Sequence, residues 1–312
     1  MYIEQGYKGS GGLWKYLVIP LGFIGLMAFN YIVTVNSQMD VEASMQQMID
    51  QLGSNTVFVI LLIPLVVGFF VVLGWTLLIH GQSITSLTTS RKKVDWKRIL
   101  FAFGLWAVLT AALTGLDIII NPEDYVWNFD LGKFIPLAVI AILLVPLQTS
   151  FEEYLFRGHM MQGIGLMAGN RWVPLLLTSI IFGLMHIANP EVGKLGSGIM
   201  IHYIGTGLFL GIITLMDEGM ELALGFHAAN NLVVALLVTA DWTAFQTNSL
   251  FKDVSMPELG WDVLVPVLVV YPILLFLFSK KYGWSNWKNR LFGKVMAKEE
   301  FMAQGDGTSE LA

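Results

Sequence analysis

The chain has 312 residues, 55% of them hydrophobic and 13% charged, with no cysteine and a formal net charge of −5. Soluble domains carry about twice that share of charge, and several apolar runs here reach the ~20 residues a bilayer-crossing helix needs, so an ordinary soluble globule is excluded. The missing cysteines exclude disulfides, thiol catalysis and cysteine-held metals, and the modest negative charge points to no nucleic-acid partner.

Long continuous apolar runs satisfy their backbone amides internally as helices, not as the alternating strands of a barrel. The fold expected is all-α, a polytopic transmembrane helical bundle of about eight spanning helices. The spans are roughly 13–35, 56–80, 99–120, 134–167 (overlong), 172–189, 197–216, 222–241 and 261–280. The first lacks a basic leader and a small-residue cleavage site, and is expected to remain as a spanning helix. Residues 1–121 read as a three-helix membrane scaffold, 134–241 as a four-helix core, and 242–312 as a final transmembrane helix with a tail, polar after about 303. Residues 37–52 are expected to form a short outer helix.

Basic residues set the orientation. With the N-terminus in the cytoplasm, 15 of the 18 Lys and Arg lie on or toward that side, among them Arg91, Lys92, Lys93, Lys97, Arg98, Lys280 and Lys281. Only Lys133, Lys194 and Lys252 fall outside, where the loops carry acids instead. Both termini are therefore expected to be cytoplasmic.

The fourth run continues through Ser150-Phe151-Glu152-Glu153-Tyr154-Leu155-Phe156-Arg157 to about Met167. Two carboxylates and an arginine at membrane depth cost roughly 2.5–3.5 kcal/mol each even on the mild insertion scale. Glu153 and Arg157, four apart with the acid first, have the favoured spacing for an ion pair on one helix face. Glu152 points about 100° away and shares its face with Gln148 and His159. A turn at Ala168-Gly169-Asn170 sends the next helix back, and both Glu152 and His186 lie 17 residues from Gly169. At 1.5 Å per residue each stands roughly 25 Å along its helix, so carboxylate and imidazole can face each other. His227 and Asn231, four apart beside Ala228 and Ala229, present two hydrogen-bond donors on one face, suited to a developing oxyanion. Gly207 and Gly211 mark close helix packing. His202 is read as more structural than functional.

A base, an adjacent imidazole and two donors fit attack of water on a peptide carbonyl, with no serine or cysteine nucleophile. A zinc site built from a glutamate, His186 and His227 is the alternative, although the familiar His-Glu-x-x-His helix is absent.

The series Glu152-Glu153-x-x-x-Arg157, Phe182-x-x-x-His186 and His227-x-x-x-Asn231 resembles the motifs of the CPBP intramembrane proteases. That family comprises type II CAAX prenyl endopeptidases and bacteriocin-processing or immunity proteins. The resemblance covers about 134–241. It implies Glu152 as water-activating base, His186 as its partner, His227 and Asn231 as the oxyanion site, and Glu153 and Arg157 as supports, with no metal cofactor. The expectation is an integral protein of a bacterial cell membrane, an endopeptidase cleaving a membrane-associated peptide or protein near the cytoplasmic half of the bilayer. Its partners would be that substrate and the lipid. A non-catalytic immunity or scaffold protein, a zinc-dependent protease and a proton-relaying transporter are the competing readings. The prenylated substrate of the eukaryotic branch is not carried over.

Overall fold

The computed structural model of the chain describes residues 1–10, 12, 14–37 and 40–306, with backbone alone at 262 and 304–306. A 3-10 turn, Ile3–Lys8, leads into α1 (Lys15–Asn36), α2 (Val41–Leu52), α3 (Ser54–Leu78), α4 (Ile84–Thr88) and α5 (Trp96–Ile120). Strand β1 (Tyr125–Trp127) precedes a long helix made of α6 (Leu131–Glu153), a π-helical stretch Tyr154–Met160, and α7 (Met161–Ala168). Then come α8 (Trp172–Leu184), α9 (Pro190–Leu195), α10 (Met200–Asp217), α11 (Glu221–Leu237), β2 (Val238–Ala240) and β3 (Phe251–Asp253). The chain closes with α12 (Trp261–Val265), a π-helical turn Pro266–Val270, α13 (Tyr271–Tyr282), α14 (Trp287–Phe292) and α15 (Lys298–Asp306). Of the polar tail expected after about 303, the last six residues lie outside the described residues.

Apolar helices stand at all eight expected places. Six are long and apolar enough to cross a membrane: Lys15–Asn36, Ser54–Leu78, Trp96–Ile120, Leu131–Ala168, Ser197–Asp217 and Val263–Tyr282. The other two are shorter than the sequence suggests. At 13 and 17 residues, α8 and α11 are about 20 and 25 Å long, less than the ~30 Å hydrocarbon core. Helix α8 ends at Leu184, where the backbone tightens into i→i−3 turns, His186 N–H to Gly183 O at 3.0 Å and Ile187 N–H to Leu184 O at 3.1 Å; Pro190 then holds Asn189 extended, ψ 145°. Helix α11 stops where Val238–Ala240 leaves to pair with β3, in a small sheet of order β1-β3-β2 that the apolar pattern did not reveal.

Helix α11 lies along α5 and α6, α3 along α6, and α10 along α8. The α8–α10 approach is backbone to backbone: a Cβ on Gly207 would sit 2.7 Å from the Ser179 carbonyl, and one on Gly211 would sit 2.6 Å from Leu175 Cδ1. Glycine at these positions is the close-packing device the spacing suggested.

The bundle has two distinct ends. The basic end gathers the 3-10 turn, α4, the turns at 168–171 and 217–221, and α14. Ion pairs join them: Arg171 to Glu4 at 2.6 Å, Arg91 to Asp217 at 3.0 Å and to Glu221 at 3.1 Å, with Arg290 on Glu218. The opposite end carries α2, α9, the sheet and the loops at 121–130 and 241–260. There Lys194 pairs with Glu42 at 2.6 Å and Lys252 with Asp241 at 2.7 Å.

Candidate active site

The two adjacent glutamates close α6 just where the helix widens into the π stretch. A π turn carries an extra residue and such bulges occur often at functional sites. Despite it, the expected pair forms: Arg157 Nη1 donates to Glu153 Oε1 at 3.2 Å, with both side chains fully buried. Arg157 Nη2 donates to the Gly207 carbonyl at 3.0 Å, and its guanidinium lies 4.3 Å from the Phe182 ring centroid. Below it, the Tyr2 hydroxyl lies 3.0 Å from the Arg157 carbonyl and 2.8 Å from that of Leu87.

Glu153 holds a second partner that the spacing did not suggest. His227 Nδ1 is 2.7 Å from the same Oε1 atom. Nε2 of that ring stands 3.7 Å from Glu152 Oε2. His227 therefore stands between the two carboxylates, hydrogen-bonded to Glu153 and beyond hydrogen-bond distance of Glu152.

Glu152 is the more open of the two acids. Its Oε1 accepts from Gln148 Nε2, and its Oε2 has no hydrogen-bond partner among the described residues. Gln148 is the last link of a chain of donors. Trp106 Nε1 donates to Asn230 Oδ1 at 3.0 Å, Asn230 Nδ2 to Asn231 Oδ1 at 3.1 Å, and Asn231 Nδ2 to Gln148 Oε1 at 3.2 Å. Every link points its donor toward Glu152, as suits an ionised carboxylate at the end.

His186 lies just past the end of α8. Its Nδ1 is 2.8 Å from the Phe182 carbonyl, which can only accept, so the neutral ring keeps an unprotonated Nε2. The imidazole stacks on Tyr203 of α10, centroids 4.4 Å apart and planes 17° apart. Glu152, His186 and Asn231 all line one cavity of about 970 Å³. Its other walls are mostly apolar, from α1 (Phe23, Met27) and α3 (Leu65, Val71), and it reaches Glu191 and Ala244 at the acidic-loop end.

Among the described residues no group of three or more His, Asp or Glu side chains stands together in a way that could hold a metal ion. One nitrogen of His227 is already committed to Glu153 and one of His186 to a carbonyl. Each ring keeps its Nε2 as the nitrogen that could face a metal ion, since a metal-bound imidazole commonly gives its other N–H to a carboxylate or carbonyl.

A family model described as "Type II CAAX prenyl endopeptidase Rce1-like" matches residues 131–233. The protein of Bacillus subtilis (strain 168) described as "Uncharacterized protein YyaK" is 30% identical over 242 residues, covering 74% of this chain and 80% of its own length. This chain belongs to the Rce1-like type II CAAX prenyl endopeptidase family. No solved structure matches it.

Membership in this Rce1-like family makes the chain an integral membrane protein of a peptidase family, and the matched region contains every candidate site residue: Glu152, Glu153, Arg157, His186, His227 and Asn231. Three neighbours of those residues escaped the sequence reading. Trp106 lies on α5, outside the matched region, and shows only as one more aromatic in an apolar run. Asn230 is an unspecified position of the His227-x-x-x-Asn231 motif, beside the amide that the spacing singles out. Tyr203 lies beside His202, the residue that drew attention on α10. A polar atom in each apolar run, asked for its partner, is the signal that would have found the first two.

Proposed function

We propose that this protein is an intramembrane endopeptidase in which Glu152 activates the attacking water. The observation that carries the reading is Glu152 in the wall of a cavity, its buried Oε2 without a hydrogen-bond partner among the described residues and 3.7 Å from His227 Nε2. A water in the cavity beside the Glu152 carboxylate would give its proton to it as its oxygen attacks the carbonyl carbon. The unprotonated Nε2 of His186 accepts the water's other hydrogen and aims its lone pair. The carbonyl oxygen becomes an oxyanion, stabilised by the Asn231 amide and by His227 Nε2 when that ring carries both protons. Glu152 then returns its proton to the amide nitrogen as the C–N bond breaks, leaving a carboxylic acid and an amine. Arg157 and Glu153 act through His227 by fixing the ring. The substrate is a peptide with an apolar segment, because most of the cavity wall is apolar, and the site of action is a bacterial cell membrane.

Comparative mass spectrometry of membrane-associated peptides tests this. Cells carrying the wild type should contain fragments missing from cells carrying Glu152→Gln at equal expression. Identical fragment sets would end the protease reading. Function retained without cleavage would favour a scaffold, and altered proton flux with unchanged peptides would favour a transporter.

A further inference from the structure

The cavity that holds Glu152 takes all its loop residues from one end of the bundle, and the charges say which end is which. By position along the helix, Glu152 lies nearer the basic end: roughly 24 Å from Ala168 against roughly 32 Å from Leu131 at 1.5 Å per residue. Yet the route from that end is filled. Tyr2, Ile3, Glu4 and Gln162 have essentially no exposed surface. Tyr2 touches the Arg157 carbonyl itself. Gln162 Nε2 donates to Ser86 O at 3.0 Å, and Glu4 accepts from Arg171 at 2.6 Å and from the Met296 amide at 3.1 Å. No residue of this plug lines the cavity. Its walls come from α1, α3, α6, α8, α10 and α11, and the short elements and loops that line it, α2 (Val41, Met45), 188–191 and 243–245, belong to the opposite end, where α8 and α11 stop early and leave a recess.

Cytoplasmic loops carry the excess of Lys and Arg. Arg91, Lys92, Lys93, Arg98, Arg171, Lys280, Lys281 and Arg290 sit at the plugged end. Of the three lysines at the open end, two are neutralised by close acids, Lys194 by Glu42 and Lys252 by Asp241.

We infer that the cavity is entered from the non-cytoplasmic side, and that its substrate is a peptide whose apolar segment lies in the outer leaflet, in place of the cleavage near the cytoplasmic half of the bilayer that the sequence suggested. The recess admits water and the polar part of the peptide, while the apolar walls between α1 and α3 take the lipid-embedded part. The inference rests on the protease reading for the word substrate; the direction of access does not.

The absence of cysteine from the chain allows a direct test in intact cells. Single variants Ala188→Cys and Ala244→Cys mark the recess, and Ser285→Cys and Lys93→Cys mark the basic end. Each is treated with a sulfonated, membrane-impermeant maleimide before and after permeabilisation, with labelling in denaturant as the total. The recess variants should label several-fold more than the basic-end variants in intact cells, and the basic-end variants should catch up only after permeabilisation. The reverse pattern, or labelling of the recess only after permeabilisation, overturns the inference. A variant that fails to fold reports through its partner at the same end. Fragments dependent on Glu152 should map to segments exposed on the outer face; cytoplasmic fragments would overturn the substrate assignment. If labelling follows the expected pattern but no fragment depends on Glu152, the protease reading fails and the direction of access stands.

Discussion

His227 Nδ1 lies 2.7 Å from Glu153 Oε1, while its Nε2 lies 3.7 Å from Glu152 Oε2. A carboxylate can only accept, so the bond to Glu153 places a proton on Nδ1. The neutral ring then offers a lone pair at Nε2, and it becomes a donor there only on gaining a second proton. Glu153, fixed by Arg157, thus decides what His227 can do.

Glu153→Gln should therefore lower cleavage per folded protein by about two to three orders of magnitude, roughly the effect of losing one oxyanion donor. The uncharged amide no longer favours the doubly protonated ring that donates from Nε2. Thermal stability in detergent should fall as well, because Arg157 loses the charge of its buried partner. Cleavage equal to wild type by the refolded or thermally intact fraction would remove Glu153 from the mechanism.

The donor chain from Trp106 to Glu152 makes a second prediction. Trp106→Phe keeps the ring against Phe226, whose centroid is 4.4 Å away, but removes the Nε1–H that orients Asn230. Stability should drop by about 1 kcal/mol, the usual net worth of one hydrogen bond. Cleavage should fall several-fold, since Asn231 and Gln148 lose their fixed direction. Asn230→Ala should give the same loss, and the double variant should be no worse than either alone, since the two act on one chain. Additive losses would show that Trp106 serves packing alone.

The fold was legible where one interaction period dominates. Uninterrupted apolar runs announced the spanning helices, and the i,i+4 spacing announced Glu153 with Arg157. Glycines four apart announced the α8–α10 contact. Equal distance from the turn put Glu152 and His186 on one cavity. What stayed hidden depends on contacts between residues far apart in the chain. Tyr2 reaches Arg157 across 155 residues, Trp106 reaches Asn230 across 124, and His227 reaches Glu153 across 74. Neither propensity nor periodicity encodes such pairs. The early ends of α8 and α11 were hidden for another reason: apolar composition continues past them, while the backbone tightens into i→i−3 turns after Leu184 and leaves α11 to pair as β2.

Metal removal should leave the protein active. Because no three His, Asp or Glu side chains among the described residues stand together as a metal-binding group, cleavage in purified protein should survive chelator, and metal analysis should find no stoichiometric zinc. Loss of activity on chelation with recovery on adding zinc would reinstate the metal reading.

Glu191, at the rim of the cavity, gives a pH test outside the membrane helices. One oxygen accepts from the Ala244 amide at 2.8 Å and the other has no partner among the described residues. Burial pushes its carboxyl above the ordinary value of 4.5. The folded state then binds the proton more tightly than the unfolded chain. Its stabilising effect is full below the unfolded value and is lost as pH rises through the folded one. Glu191→Gln keeps an oxygen for Ala244 and cannot ionise. Its melting temperature in detergent should match wild type near pH 4 and exceed it increasingly toward neutral pH; a pH-independent difference would refute the assignment.

Gly207 joins the packing of the bundle to the charge network of the site. Its missing Cβ lets α10 come within contact of the Ser179 backbone, and its carbonyl accepts from Arg157 Nη2 at 3.0 Å. The atom that an alanine would meet is main chain, 2.7 Å away, and cannot rotate aside. Gly207→Ala must push α10 from α8, which lengthens the bond to Arg157 and loosens its hold on Glu153. Overpacking of this kind costs about 1–3 kcal/mol, and cleavage by the folded fraction should fall with it. Gly211→Ala clashes with the end of the Leu175 side chain, which can move, and meets Met161 and Ser179 at ordinary contact distance, so it should cost less stability and leave cleavage near wild type. Equal effects of the two substitutions would mean that the α8–α10 spacing does not govern Arg157.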